Sequence, residues 1–200
     1  MKIMNNKIIN YHTGRQFQAG ASLLEVLVTI LIMSFGMLAF GGLTAAALQY
    51  SKMAQYQTIG TQLAAEYGDR MRGNVDGFRA NNYNQTTPYA GVSSLVSVPA
   101  CATATKCTSA ELAAIDVAEW TNSLRQRLPG GGAYVTHSDA NNTLAADIWV
   151  MWSEPNLKYA VSNNDLSVSS SGGSQCPDAA LAGLPASIPT PRCMYFRMSL

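Results

Sequence analysis

From Ala21 to Leu48 the chain reads ASLLEVLVTILIMSFGMLAFGGLTAAAL, a run with one charge, Glu25, and no proline. About 20 apolar residues cross the hydrocarbon core of a bilayer as a helix, so this run is long enough to span one. The residues before it are polar and carry Lys2, Lys7 and Arg15 with no acid. That order is the reverse of a secretory signal, in which the apolar stretch precedes a small-residue cleavage site and is discarded with it. Here the apolar stretch is expected to be kept. Basic residues ahead of a membrane helix hold that end in the cytoplasm, which puts the rest of the chain on the periplasmic side.

Cysteine usage agrees with an oxidising compartment. Cys101, Cys107, Cys176 and Cys193 all lie in the polar C-terminal half, and an even count fits disulfides. A zinc site usually draws on closer cysteine pairs with histidine partners, and His137 is the only histidine after Gly20. The expected pairs are Cys101 with Cys107, closing a small ring ahead of a helix start, and Cys176 with Cys193, tying a Ser- and Gly-rich stretch to the last strand. The other two connectivities would stitch the middle loop to the C-terminal strand, and they stay open at this point.

Charged residues make up 12% of the 200-residue chain, about half the roughly 25% of an average globular protein. A chain of this length with 48% apolar content fits one domain with its own core. No basic patch points to nucleic acid. Arg70, Arg72 and Arg79 are interrupted by Asp69 and Asp76, a mixture that reads as a solvated face.

Beyond the apolar run, Leu43, Ala47, Tyr50, Ala54, Ile59, Leu63 and Tyr67 recur at helical intervals. One helix is therefore expected from Ala21 to Arg72, ~78 Å long at about 1.5 Å per residue. Gly36, Gly41 and Gly42 are its weak points, read either as close-packing or melting sites or as ordinary membrane-helix glycines. Gly73 is expected to end the helix, and Asn74 to Pro99, rich in Gly, Asn, Thr and Pro, to form a long loop. Thr108-Ser-Ala-Glu111 reads as a capping box. The stripe Ala113, Val117, Trp120, Leu124 and Leu128 follows it, and Pro129-Gly130-Gly131-Gly132 stops that second helix. Strands are expected at Ala133 to Ser138, Thr143 to Trp152, Leu157 to Ser162 and Arg192 to Met198, paired antiparallel. Trp149 and Trp152 read as core or sheet-surface packing. The class is α+β: a long N-terminal helix packed on a small antiparallel sheet with one additional helix. The chain divides into residues 1–20, a helix over 21–72 that spans the membrane over about 21–45, and a domain over 73–200.

Position alone leaves Glu25 with two readings, a carboxylate that snorkels at the helix start and an intramembrane acid with a functional partner. Gly20 followed by Ala-Ser-Leu-Leu-Glu and the apolar run resembles the class III signal of type IV prepilins. In that family a membrane-embedded aspartic peptidase cuts after Gly and the new N-terminus is methylated; Ala21 stands where Phe is usual. The segment DRMRGN at Asp69 to Asn74, a helix carrying Glu119-Trp120 and ending Leu-Pro-Gly-Gly, and Trp-Ser-Glu-Pro at Trp152 to Pro155 are similar to the PilV-type minor pilins, also called type IV pilus modification proteins.

This resemblance implies cleavage between Gly20 and Ala21 by the prepilin peptidase, which is also the methyltransferase acting on Ala21. It implies that Glu25 pairs with the N-terminal amine of a neighbouring subunit and sets axial register, the specificity role of a paired buried charge. It further implies an inner-membrane precursor with a cytoplasmic N-terminus, and passage through the pilus assembly platform into a type IV pilus at the cell surface. Other minor and major pilins are the partners, met through the N-terminal helix, and the role is to prime or modify assembly in a tip complex, with an effect on adhesion. A pseudopilin of a type II secretion system would share the N-terminal signal, as would a pilus-associated adhesin. Pseudopilins are usually smaller and lack the cysteine-rich C-terminal region.

Enzyme chemistry is not expected. His137, in a turn-prone Thr-His-Ser-Asp stretch, is a lone imidazole that reads as a surface residue. Gly130 to Gly132 follow a helix rather than preceding one, so they do not form a phosphate cradle. No cofactor, metal or nucleic-acid partner is expected.

Overall fold

The structure, a computed structural model, describes residues 22–103, 106–138, 144–153, 176–185 and 187–200. The chain divides into two units, one ending at Gln49 and one beginning at Tyr50. Helix α1 covers Leu23–Gly73, 51 residues, and so contributes to both.

Within the second unit, α1 buries Gly60, Leu63, Ala64, Tyr67, Gly68 and Met71, residues three and four apart on one face. Two of these are glycines that face the sheet: a methyl group at Gly60 would sit 3.6 Å from the Met194 sulfur and one at Gly68 3.5 Å from Met198, ordinary contact distances that leave room for a small side chain. The sheet has strand order β1-β2-β3, with β1 at Gly132–Ser138, β2 at Ala145–Trp152 and β3 at Arg192–Ser199, all antiparallel. Alternation along β2 sends Ala146, Ile148, Val150 and Trp152 to the core with α1. The strand expected at Leu157 to Ser162 lies outside the described residues.

Helix α3, Ser109–Arg127, begins on the expected capping box, with Thr108 Oγ1 accepting from the Glu111 N–H and Glu111 accepting from the Thr108 N–H. Its stripe buries Ala113, Trp120, Leu124 and Leu128. Trp120 stacks on Tyr67 with centroids 3.9 Å apart, and its indole N–H donates to the Leu63 carbonyl at 2.8 Å. At the far end a Cβ on Gly131 would stand 2.1 Å from the Leu124 carbonyl oxygen, so only glycine lets the chain turn back this tightly into β1.

Two expectations need correction. Asn74 to Pro99 is not all loop: Asn74 caps a short helix α2, Val75–Arg79, accepting from the Gly77 N–H while its own amide donates to the Ser109 carbonyl at 2.7 Å. Five residues are too few to show a period, and the helix holds because Phe78 is buried in the core. A further short helix, α4 at Asp178–Leu181, was equally invisible, so the one additional helix expected becomes three among the described residues.

The mixed charges around Arg70 also form more than a solvated face. The Arg70 guanidinium meets Glu66 at 3.0 Å, Asp116 at 3.0 Å and Glu119 at 2.8 Å, bridging α1 to α3. Burial works against its charge, but the hydrogen bonds to Glu119, Glu66 and Asp116 more than offset this and raise its pKa. Tyr83 donates to the other Asp116 oxygen at 2.6 Å, and Tyr67 donates to the Tyr83 carbonyl at 2.6 Å. Burial raises the pKa of both phenols, so they act here as neutral donors. Arg72, in contrast, is exposed and pairs with Asp69.

Candidate functional site

The feature with functional content is the first part of α1. Its side chains from Leu23 to Leu48 are exposed on every face of the helix, with Leu23, Phe35, Leu38, Phe40 and Leu48 each about two-thirds or more accessible. A helix apolar all round has no polar face to give to water. It is long and apolar enough to cross a membrane.

Four polar side chains interrupt this surface: Glu25, Thr29, Ser34 and Thr44. The three hydroxyls bond back to the helix, Thr29 to the Val26 carbonyl at 2.8 Å, Ser34 to Leu31 at 2.8 Å and Thr44 to Gly41 at 2.9 Å. Thr58 and Thr61 do the same farther along, so the habit belongs to helical hydroxyls in general. In an apolar medium it meets the requirement that polar groups be satisfied within the segment. Glu25 cannot meet it. The residue sits in the first turn, its backbone N–H donating to the Ser22 carbonyl at 2.8 Å, and no described residue pairs with its carboxylate.

Gly36 and Gly41 leave a notch bordered by Met33, Met37 and Phe40. Nothing lies within 4 Å of a Cβ built on Gly36, Gly41 or Gly42, so no contact within the chain requires glycine at these positions.

No family model, curated protein or solved structure matches the chain. Its functional reading therefore stands on its own residues.

Of the residues singled out by sequence, Gly20 and Ala21 lie outside the described residues. The structure joins Cys101 to Cys107 and Cys176 to Cys193, the pairing in which each loop closes on itself. The second bond ties the stretch leading into α4 to β3. His137 is not in a turn: it belongs to β1, its ring 4.3 Å from Phe78 and its Nδ1 2.7 Å from the Asn81 side-chain oxygen. Among the described residues no group of His, Cys, Asp or Glu is placed to hold a metal ion.

Trp152 is core, whereas Trp149 lies on the opposite sheet face between Tyr134 and Tyr195, two residues that sequence reading passed over. Their signal was available in the alternation of β1 and β3, which puts both on the Trp149 face once the register is known.

Proposed function

We propose that this chain is a type IV pilin-like filament subunit, a minor pilin held in the inner membrane by the first part of α1 until it joins a pilus. Its N-terminus is cytoplasmic and its globular unit periplasmic before assembly. Prepilin peptidase cuts between Gly20 and Ala21 and methylates Ala21, and the subunit then primes or modifies assembly beside other minor and major pilins.

The observation that carries this reading is Glu25, the one polar side chain of the apolar run that its own helix leaves unsatisfied. An ionised side chain costs about 3 kcal/mol at a bilayer centre on insertion scales and less near a helix start, so once the first turn of α1 is buried among neighbouring helices Glu25 needs a cation from outside its own helix. The new amine of a neighbouring subunit supplies one. Registers that leave the pair unmatched are then penalised, which is how one weak pair sets the axial position of a subunit. Glycines that their own fold does not require, at 36, 41 and 42, leave room for a neighbouring helix to approach.

Mass spectrometry of the mature N-terminus tests the cleavage, with a chain beginning at methylated Ala21 expected. Met1 retained in assembled pili would overturn the proposal. Glu25→Ala is expected to leave membrane insertion intact, since it removes the only charge of the run, while lowering incorporation into pili at least about tenfold, the equivalent of about 1.4 kcal/mol. Full piliation by that variant would remove the register role.

A further inference from the structure

The sheet face turned away from α1 carries an aromatic row that the assembly role does not use. Tyr134 on β1, Trp149 on β2 and Tyr195 on β3 occupy directly paired positions. Cross-strand register therefore lines up the three rings across the sheet. Tyr134 meets Trp149 edge-on at 6.0 Å between centroids, and Trp149 meets Tyr195 at 5.1 Å with a 39° tilt. At one end Tyr134 packs into a small apolar cluster built on Tyr89, Met151 and Ala180. The other end is open, with Tyr195 43% accessible.

A charge pair borders that open end. Asp147 lies two residues before Trp149 on the same face, and its Oδ1 accepts from the Tyr195 hydroxyl at 2.6 Å. The Arg197 guanidinium is 3.6 Å from the same oxygen, and half of that side chain is accessible. No described residue bonds Asp147 Oδ2, which keeps acceptor capacity. All these groups stand on paired strands, and the Cys176–Cys193 disulfide anchors β3 two residues from Tyr195, so the constellation is held before any ligand arrives.

The composition selects the ligand. Asp147 and Arg197 offset each other, so this pair by itself selects for neither an anion nor a cation. Aromatic rings flanked by one strong acceptor and one strong donor suit a neutral molecule with an apolar face and a rim of hydroxyls. We propose that this face binds a neutral saccharide, with a sugar ring against Trp149 and Tyr195 and its hydroxyls on Asp147 and Arg197. The site belongs to the globular unit and does not depend on the filament reading, so either can fail without the other.

The test uses the full chain in a detergent without a sugar headgroup, titrated with cellohexaose, chitohexaose and mannohexaose, and with a hyaluronan hexasaccharide as the charged comparison. Trp120 and Trp152 are 0% and 1% accessible, so a saccharide-dependent change in tryptophan emission reports Trp149. A saturable change is expected at millimolar concentration with at least one neutral hexasaccharide. Asp147→Asn is expected to weaken it about tenfold. Its loss in Trp149→Ala, which removes the reporter, confirms the source of the signal, and its absence in Tyr195→Ala, whose accessible ring can be removed with the core intact, reports lost binding; near-UV circular dichroism and an intact Cys176–Cys193 bond check the fold of each variant. No saturable change with any neutral probe up to about 10 mM would overturn the proposal. So would binding unaffected by Tyr195→Ala, or preference for the hyaluronan fragment. A photocrosslinker at position 195 that captures another pilus subunit would assign the face to subunit packing instead, and equally overturn it.

Discussion

Trp120 and Trp152 offer a matched experiment on what a buried indole contributes. Both are in the same core and essentially inaccessible, at 0% and 1%. Trp120 donates its N–H to the Leu63 carbonyl at 2.8 Å, whereas the Trp152 N–H has no partner among the described residues. Replacing either by Phe removes similar apolar volume and leaves a similar cavity, about 1–2 kcal/mol in each case. For Trp120→Phe the lost hydrogen bond adds about 1 kcal/mol, giving about 2–3 kcal/mol in total. Phe keeps a ring against Tyr67, so most of that stack survives. For Trp152→Phe an unsatisfied donor leaves the core, which returns about 1 kcal/mol and brings the net cost to about 0–1 kcal/mol. Urea unfolding of the full chain in detergent micelles, followed by near-UV circular dichroism, measures both and excludes the helical signal of the apolar run. The expected gap is about 2 kcal/mol in favour of Trp152→Phe. A Trp152→Phe variant as destabilised as Trp120→Phe, at equal m-values, would refute the reasoning.

The same assay checks four further expectations. Arg70→Met leaves Glu66, Asp116 and Glu119 facing one another without their cation and is expected to cost about 1–3 kcal/mol, with part recovered by adding Asp116→Asn in a double-mutant cycle. Thr108→Ala removes the cap of α3 for about 1 kcal/mol. Backbone N–H bonds from Thr108 and Ala102 hold the Glu111 pKa below the ordinary carboxylate value, so its contribution is present above that value and lost as pH falls through the depressed one. A flatter acid limb is therefore expected in Glu111→Gln than in the parent chain. Gly131→Ala places a methyl on the Leu124 carbonyl oxygen and is expected to cost about 3 kcal/mol or more, seen as a lowered urea midpoint.

What the sequence disclosed, and what it withheld, follows from how local each cause is. The capping box at Thr108, the stripe through Trp120 to Leu128 and the glycine stop are written in adjacent residues, and α3 begins and ends where they place it. The apolar run needed no partner to be recognised, because length and apolar character sufficient to cross a membrane are read from consecutive residues. Helix α2 was lost because Phe78 is fixed by packing and Asn74 by the Ser109 carbonyl, 35 residues away. Arg70 was read as solvated because two of its three acids, Asp116 and Glu119, sit on another helix. The row of Tyr134, Trp149 and Tyr195 was hidden for the same reason: each ring is an unremarkable strand aromatic until register pairs them. Glu25 is the opposite case. Its oddity is visible in one dimension, but no described residue pairs with its carboxylate, so what answers that charge is the point on which the proposed register role is tested.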